Sequence, residues 1–205
     1  MQIAVSLVAA VLLLAAAGPA WAQPAAAPPG AYRTAAAYHR RQPAPAGTDA
    51  YYPDKRGLLV VVPLGRGPKK MRLAPDSTWG YVSGKGRTVR FYRGEEYQLE
   101  HADTLCVYSS TAVPAGSERA DAASTAPVLN SGRYLNTAPP RYFFSRGLKG
   151  LVFPLTLRYL REMYAASNPD FATALARLRF AESLSDRDSK TGLFRVTVLY
   201  RGTLR

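Results

Sequence analysis

The chain has 205 residues, 47% of them hydrophobic, which favours one domain with one real core over a disordered chain. Its 27 basic residues against 14 acidic ones give a net charge of +13, which constrains solubility and association but not mechanism. One cysteine excludes an intramolecular disulfide, and two histidines beside it are too few for a convincing zinc site.

Ile3 to Ala17 is almost wholly apolar. Gly18 and Pro19 break the run, and Ala20-Trp21-Ala22 supplies the small-x-small pattern of a signal peptidase site. The pattern predicts a signal peptide over residues 1–22, cleaved near Ala22/Gln23, and a chain exported to the periplasm or beyond. No Lys or Arg precedes Arg33, so an uncleaved N-terminal anchor is the alternative. Residues 23–30 read as a Pro/Ala linker. Residues 31–205 read as a single α+β domain with a flexible insertion at about 110–140, rich in Ala, Ser, Thr and Pro. After the signal, no transmembrane segment is expected. Cys106 lies too far from the signal to be a lipid-attachment cysteine.

Thr34 can cap a short helix over 35–41, ended by the Pro-rich stretch 42–47. Strand signals then follow closely. Leu58 to Val62 is a continuous apolar run, and Lys69 to Leu73 alternates. Thr78 to Val82 leads to Gly84-Lys85-Gly86, a hairpin signal in which two glycines can take positive φ. Arg87 to Tyr92 alternates cleanly, with Val89 and Phe91 opposite Thr88, Arg90 and Tyr92. Arg93-Gly94 turns the chain, and Tyr97, Leu99 and His101 line one face of the next strand. Strands around Leu105 and Val107, over 141–145 and over 151–153 complete the series. Short connections make the neighbours antiparallel in a meander.

The period then changes from two to between three and four. Thr156 can cap a helix carrying Leu157, Leu160 and Tyr164. Asn168-Pro169-Asp170 combines an N-cap, a proline in the first turn and an acid at the positive helix end. Phe171, Leu175 and Leu178 form the apolar stripe of that helix. Residues 193–201 fit either a strand, by Val196, Thr197 and Val198, or a helix, by Leu193, Val196 and Tyr200.

The order WGYVSGKGRTVRFYRGEEYQLE, RYFFS, PLTLRYLREMY, NPDFATALARL and DSKTGLFRV resembles an uncharacterised family of secreted Bacteroidetes proteins, over roughly residues 79–200 without the insertion. The resemblance implies export and a more helix-prone C-terminal segment, tipping residues 193–201 towards helix. It implies no catalytic residue.

Candidate chemistry is sparse. Gly80 to Thr88 resembles a phosphate loop, but three residues instead of four precede the GK pair and Gly86 follows the lysine. Asp186 to Gly192 resembles a calcium loop, but Thr191 replaces the glycine at position six and Lys190 occupies a ligand position. A hairpin turn and a solvated turn are the expected readings. His101, Asp103 and Cys106 are neighbours in sequence, yet Cys106 reads as a small buried hydrophobe in a strand. Glu95, Glu96 and Glu100 read as salt-linked surface carboxylates, not a facing glycosidase pair.

The expected fold is therefore α+β: an antiparallel β-meander sheet of six or seven strands followed by a C-terminal helical segment packed on it. Trp79, Tyr81, Val89, Phe91, Leu99, Leu105, Val107, Phe143, Leu157, Leu160, Phe171 and Leu175 are the expected core. The expected function is a non-enzymatic cell-envelope or interaction module without metal or cofactor. Its alternative is an extracytoplasmic, hydrolase-like enzyme assembled from residues such as Glu95, Glu100, His101 or Asp103. The ligand surface expected is a basic and aromatic face of Lys85, Arg87, Arg90 and Tyr92. Such a face suits a weak anionic envelope ligand: a lipid head group, lipopolysaccharide or an acidic glycan. No specific nucleic acid is expected.

Overall fold

The computed structural model describes residues 26–65, 69–110, 141–179 and 182–204. The expected signal peptide and nearly all of the expected insertion lie outside these residues. The elements run β1 (Gly30–Tyr32), α1 (Ala35–His39), β2 (Gly47–Tyr51), β3 (Leu59–Pro63) and β4 (Met71–Leu73). A single 3-10 turn (Pro75–Ser77) precedes β5 (Gly80–Val82), β6 (Thr88–Tyr92), β7 (Glu95–His101), β8 (Leu105–Ser110), β9 (Arg141–Arg146) and β10 (Phe153–Pro154). The helices α2 (Leu157–Tyr164), α3 (Pro169–Ala176) and α4 (Arg195–Gly202) close the chain.

Among the described residues the strands form a seven-stranded sheet ordered β1-β5-β6-β7-β8-β9-β10 and a three-stranded sheet ordered β2-β3-β4. Every pairing is antiparallel. The fold is α+β, with the expected meander running from β5 to β10. The small second sheet and the edge strand β1 were not expected. Gly30 had been placed in the linker by composition, yet it opens β1, where the Tyr32 hydroxyl donates to Pro28 O at 2.6 Å. No helix among the described residues is long and apolar enough to cross a membrane.

Strand register divides the large sheet into two faces, because side chains alternate along every strand. One face carries Val89 and Phe91 from β6, then Leu105, Val107 and Phe144 from β8 and β9. Its β6 end packs with Ala50, Leu59 and Val61 of the small sheet. Its β8–β9 end packs with Leu160, Tyr164, Phe171, Leu175, Phe194, Val196 and Tyr200 of the helical segment. The opposite face carries Arg90, Tyr97, Tyr108, Phe143 and Ser145 in register. Leu148 and Val152, from the segment joining β9 to β10, pack against that face. Half-open sheets usually leave one side to solvent; this centre has cover on both sides.

Two local departures have plain causes. A bulge between Leu99 and His101 pairs His101 with Val107, which turns the imidazole away from the Tyr97–Leu99 face on which alternation had placed it. Leu157, the first residue of α2, is 42% exposed, whereas Leu160 and Tyr164 farther along the same stripe are buried. Residues 195–202 are helical despite their β-branched run, because Val196, Thr197 and Tyr200 then share the face turned to the core.

The hairpin after β5 shows why two glycines occur there. Gly86 has φ +77, whereas Gly84 does not; a Cβ on Gly84 would come within 2.8 Å of Thr48 O. Asp49 Oδ1 accepts the Gly84 N–H, so the turn docks on β2. One glycine serves a left-handed turn and the other a close approach.

Candidate functional site

Thr34 Oγ1 accepts the Ala37 N–H at 3.0 Å and starts α1, which lies beside the turn that follows β9. Two adjoining clefts open between them. The larger, about 690 Å³, is lined by Ala35, Ala36, His39, Ala102, Asp103, Thr104, Arg146, Gly147, Leu148 and Lys149. The second, about 580 Å³, is lined by Arg33, Thr34, Ala35, Ala36, Asp76, Ser77, Thr78, Trp79, Arg90 and Lys149. Ala35, Ala36 and Lys149 are common to both. The Trp79 ring lies 4.8 Å from that of Tyr38, and its Nε1–H donates to Leu148 O at 2.9 Å, tying β5, α1 and the turn together.

Arg90 borders the second cleft. Its residue is only 4% exposed, which corrects the expectation of an exposed basic face. Nη1 donates to the Tyr108 hydroxyl at 3.0 Å and to Ser145 Oγ at 3.4 Å, while Nη2 donates to Gly150 O at 2.7 Å. The Tyr92 and Tyr108 ring centroids lie 5.3 and 5.7 Å from its Cζ. Burial pushes the Tyr108 phenol up to about 12, so it stays a neutral hydroxyl beside the guanidinium.

The four residues expected on one basic face are therefore divided. Lys85 and Arg87 are exposed on the hairpin, Arg90 is interior, and Tyr92 is half-buried with Arg93 5.4 Å from its ring. Strand alternation correctly separated Arg90 and Tyr92 from Val89 and Phe91. What it could not convey is that the second face is covered by residues 147–152.

At the rim of the larger cleft, Asp103 Oδ2 accepts from Arg201 Nε and Nη2 at 3.0 and 2.7 Å, and Asp103 Oδ1 accepts the Thr104 N–H. Burial raises the Asp103 carboxyl, but these bonds outweigh it and hold the group below its ordinary range. His101 Nε2 stands 3.8 Å from Asp103 Oδ2, too far for a hydrogen bond, and is buried without an acceptor or donor. Burial first, and then Arg201, lower the His101 pKa, favouring the neutral imidazole.

Cys106 lies on the opposite sheet face from His101, fully buried, with Sγ donating to Asp103 O at 3.1 Å. Burial pushes its thiol up. His101, Asp103 and Cys106 do not assemble as nucleophile and base. Glu95 accepts from the Tyr97 hydroxyl at 2.6 Å, while Glu100 takes Gln98, Ser109 and Arg187. The loop at 186–192 closes on Asp188 Oδ1, which accepts the Lys190 N–H, the Thr191 N–H and the Thr191 hydroxyl. Among the described residues no group of three or more His, Cys, Asp or Glu side chains is arranged to hold a metal ion.

Arg33, Trp79 and Lys149 are the cleft residues that sequence reasoning missed as site residues. Arg33 stands next to the helix-cap signal and Lys149 between two glycines, so neither carries a binding signal in the sequence alone. No protein-family model matches the chain, and neither curated proteins nor solved structures show a significant similarity to it.

Proposed function

We propose that this chain is an exported, non-enzymatic cell-envelope or interaction module whose binding surface is the pair of clefts beside α1. The observation that carries this reading is the separation of its reactive groups: Cys106 and His101 occupy opposite sheet faces, and Asp103 is already engaged by Arg201. A general base needs reach to the proton it takes, and a nucleophile needs such a base. The cleft walls instead offer small apolar residues, an indole and cations, which suits retention of a ligand.

Export rests on the apolar run ended by Ala20-Trp21-Ala22, together with the resemblance to a family of secreted proteins that the sequence suggests. The ligand class follows from the cations: an anionic group, presented in the envelope by a lipid head group, lipopolysaccharide or an acidic glycan. Two measurements check the proposal. N-terminal sequencing of the protein from its native host is expected to begin at Gln23, and intact Met1 in soluble cytoplasm would overturn export. Chromogenic esters, phosphomonoesters and glycosides are expected to remain intact at millimolar concentration; turnover abolished by His101→Gln or Asp103→Asn would establish the hydrolase instead.

A further inference from the structure

Arg90 leaves an unbalanced charge in the described core. Its guanidinium is buried, yet no carboxylate among the described residues comes within 4.0 Å of it. Neutral hydroxyls, one carbonyl and two aromatic rings offset only part of the cost of removing a cation from water. A guanidinium has five N–H groups. The recorded bonds use both hydrogens of Nη1 and one of Nη2, and Nε is buried without an acceptor. Two donors remain, one on Nε and one on Nη2. In a guanidinium these two nitrogens share the edge that grips both oxygens of a carboxylate or phosphate.

The 580 Å³ cleft leads to this residue. At its mouth stand Arg33 and Lys149, both exposed, against one lining carboxylate, Asp76. The cleft is larger than an inorganic anion requires. Trp79, Ala35 and Ala36 give it an aromatic and apolar wall. We infer that this cleft seats a small organic anion, its carboxylate or phosphate drawn in by Arg33 and Lys149 and bound on the unpartnered Nε–Nη2 edge of Arg90, with its apolar or aromatic body against Trp79. The inference rests on the proposed reading of the clefts as a binding surface. It goes beyond that reading in choosing one of the two clefts, naming Arg90 as the seat of the charge and giving the ligand an apolar or aromatic body.

The test is calorimetric titration of the protein with benzoate, phenyl phosphate, inorganic phosphate and benzamide at low and physiological salt. Benzoate or phenyl phosphate is expected to bind, and benzamide, the neutral isostere, is not. The Arg33→Ala/Lys149→Ala protein, altered only at exposed positions, should bind at least tenfold more weakly while unfolding at an unchanged urea midpoint. Arg90→Lys keeps the charge but removes the fork, and should also weaken binding tenfold or more. If that variant fails to fold, the rim variant decides. Lys85→Ala/Arg87→Ala should bind as the parent does. Absence of binding by both organic anions, equal binding of benzamide, binding only to anionic phosphatidylglycerol vesicles, or undiminished binding by the rim variant would each overturn the seat. Turnover of a chromogenic substrate would remove the non-enzymatic reading alone and leave the seat standing.

Discussion

Arg90 ties three strands and a turn through hydrogen bonds that no methylene chain can replace. Arg90→Met leaves the Tyr108 hydroxyl, Ser145 Oγ and Gly150 O without this donor. The expected loss is about 1–3 kcal/mol, the scale for a buried polar group left unmade. Lys85→Ala/Arg87→Ala touches exposed side chains and should stay within about 0.5 kcal/mol of the parent. Urea unfolding followed by circular dichroism measures both, and equal effects would show that burial does not separate these arginines. Alternation revealed which neighbours Arg90 shares, since Val89 and Phe91 do lie opposite. The cover over its face comes from Leu148 and Val152, 58 and 62 positions along the chain, and no local pattern encodes such a return.

Helix starts were legible because their physics is local. Thr34, Thr156 and Asn168 each accept an N–H of the first turn, as side-chain oxygens at those positions should. Helix faces were less so. Leu157, Leu160 and Tyr164 share one stripe, but burial along it begins only after the first residue of α2, at Leu160. Leu160→Ala should cost about 2–5 kcal/mol as a fully buried truncation. Leu157→Ala should cost well below that, because Leu157 is 42% exposed. Thermal melts of the two variants check the difference, and parity would place Leu157 in the core after all. The missed β1 and β2 both flank Pro-rich sequence. β1 has only three residues and finds its partner far along the chain, in β5, whereas β2 pairs with the next strand, β3, but its GTDAY sequence carries little strand signal of its own.

Acid should unfold the whole molecule in two stages set by neighbouring groups. His101 has a folded pKa below its ordinary value of about 6.5, so the folded chain binds fewer protons than the unfolded one in that range. Stability is therefore complete above about pH 6.5 and falls as the pH drops from there towards the folded value. Asp103 is also depressed; its contribution persists above the ordinary carboxyl range near 3.9 and disappears as the pH falls through its lower folded value. His101→Gln should flatten the first stage and retain the second. Urea midpoints at several pH values between neutrality and pH 3 test this, and an unchanged first stage would assign it to another group. The bulge that places His101 there was not readable, because an inserted residue leaves no mark on a period-two pattern until the partner strand is known.

The chain has two tryptophans, Trp21 and Trp79, and the first belongs to the expected leader. In a chain that begins at Gln23, fluorescence excited through indole comes from one half-buried position, where α1, β5 and the turn before β10 meet. The emission wavelength then reports the solvation of that junction alone. A red shift with unchanged far-ultraviolet dichroism marks the cleft wall opening while the sheet stays folded. A red shift that accompanies loss of dichroism marks global unfolding. The molecule thus carries its own label at the place where its ligand is expected to sit.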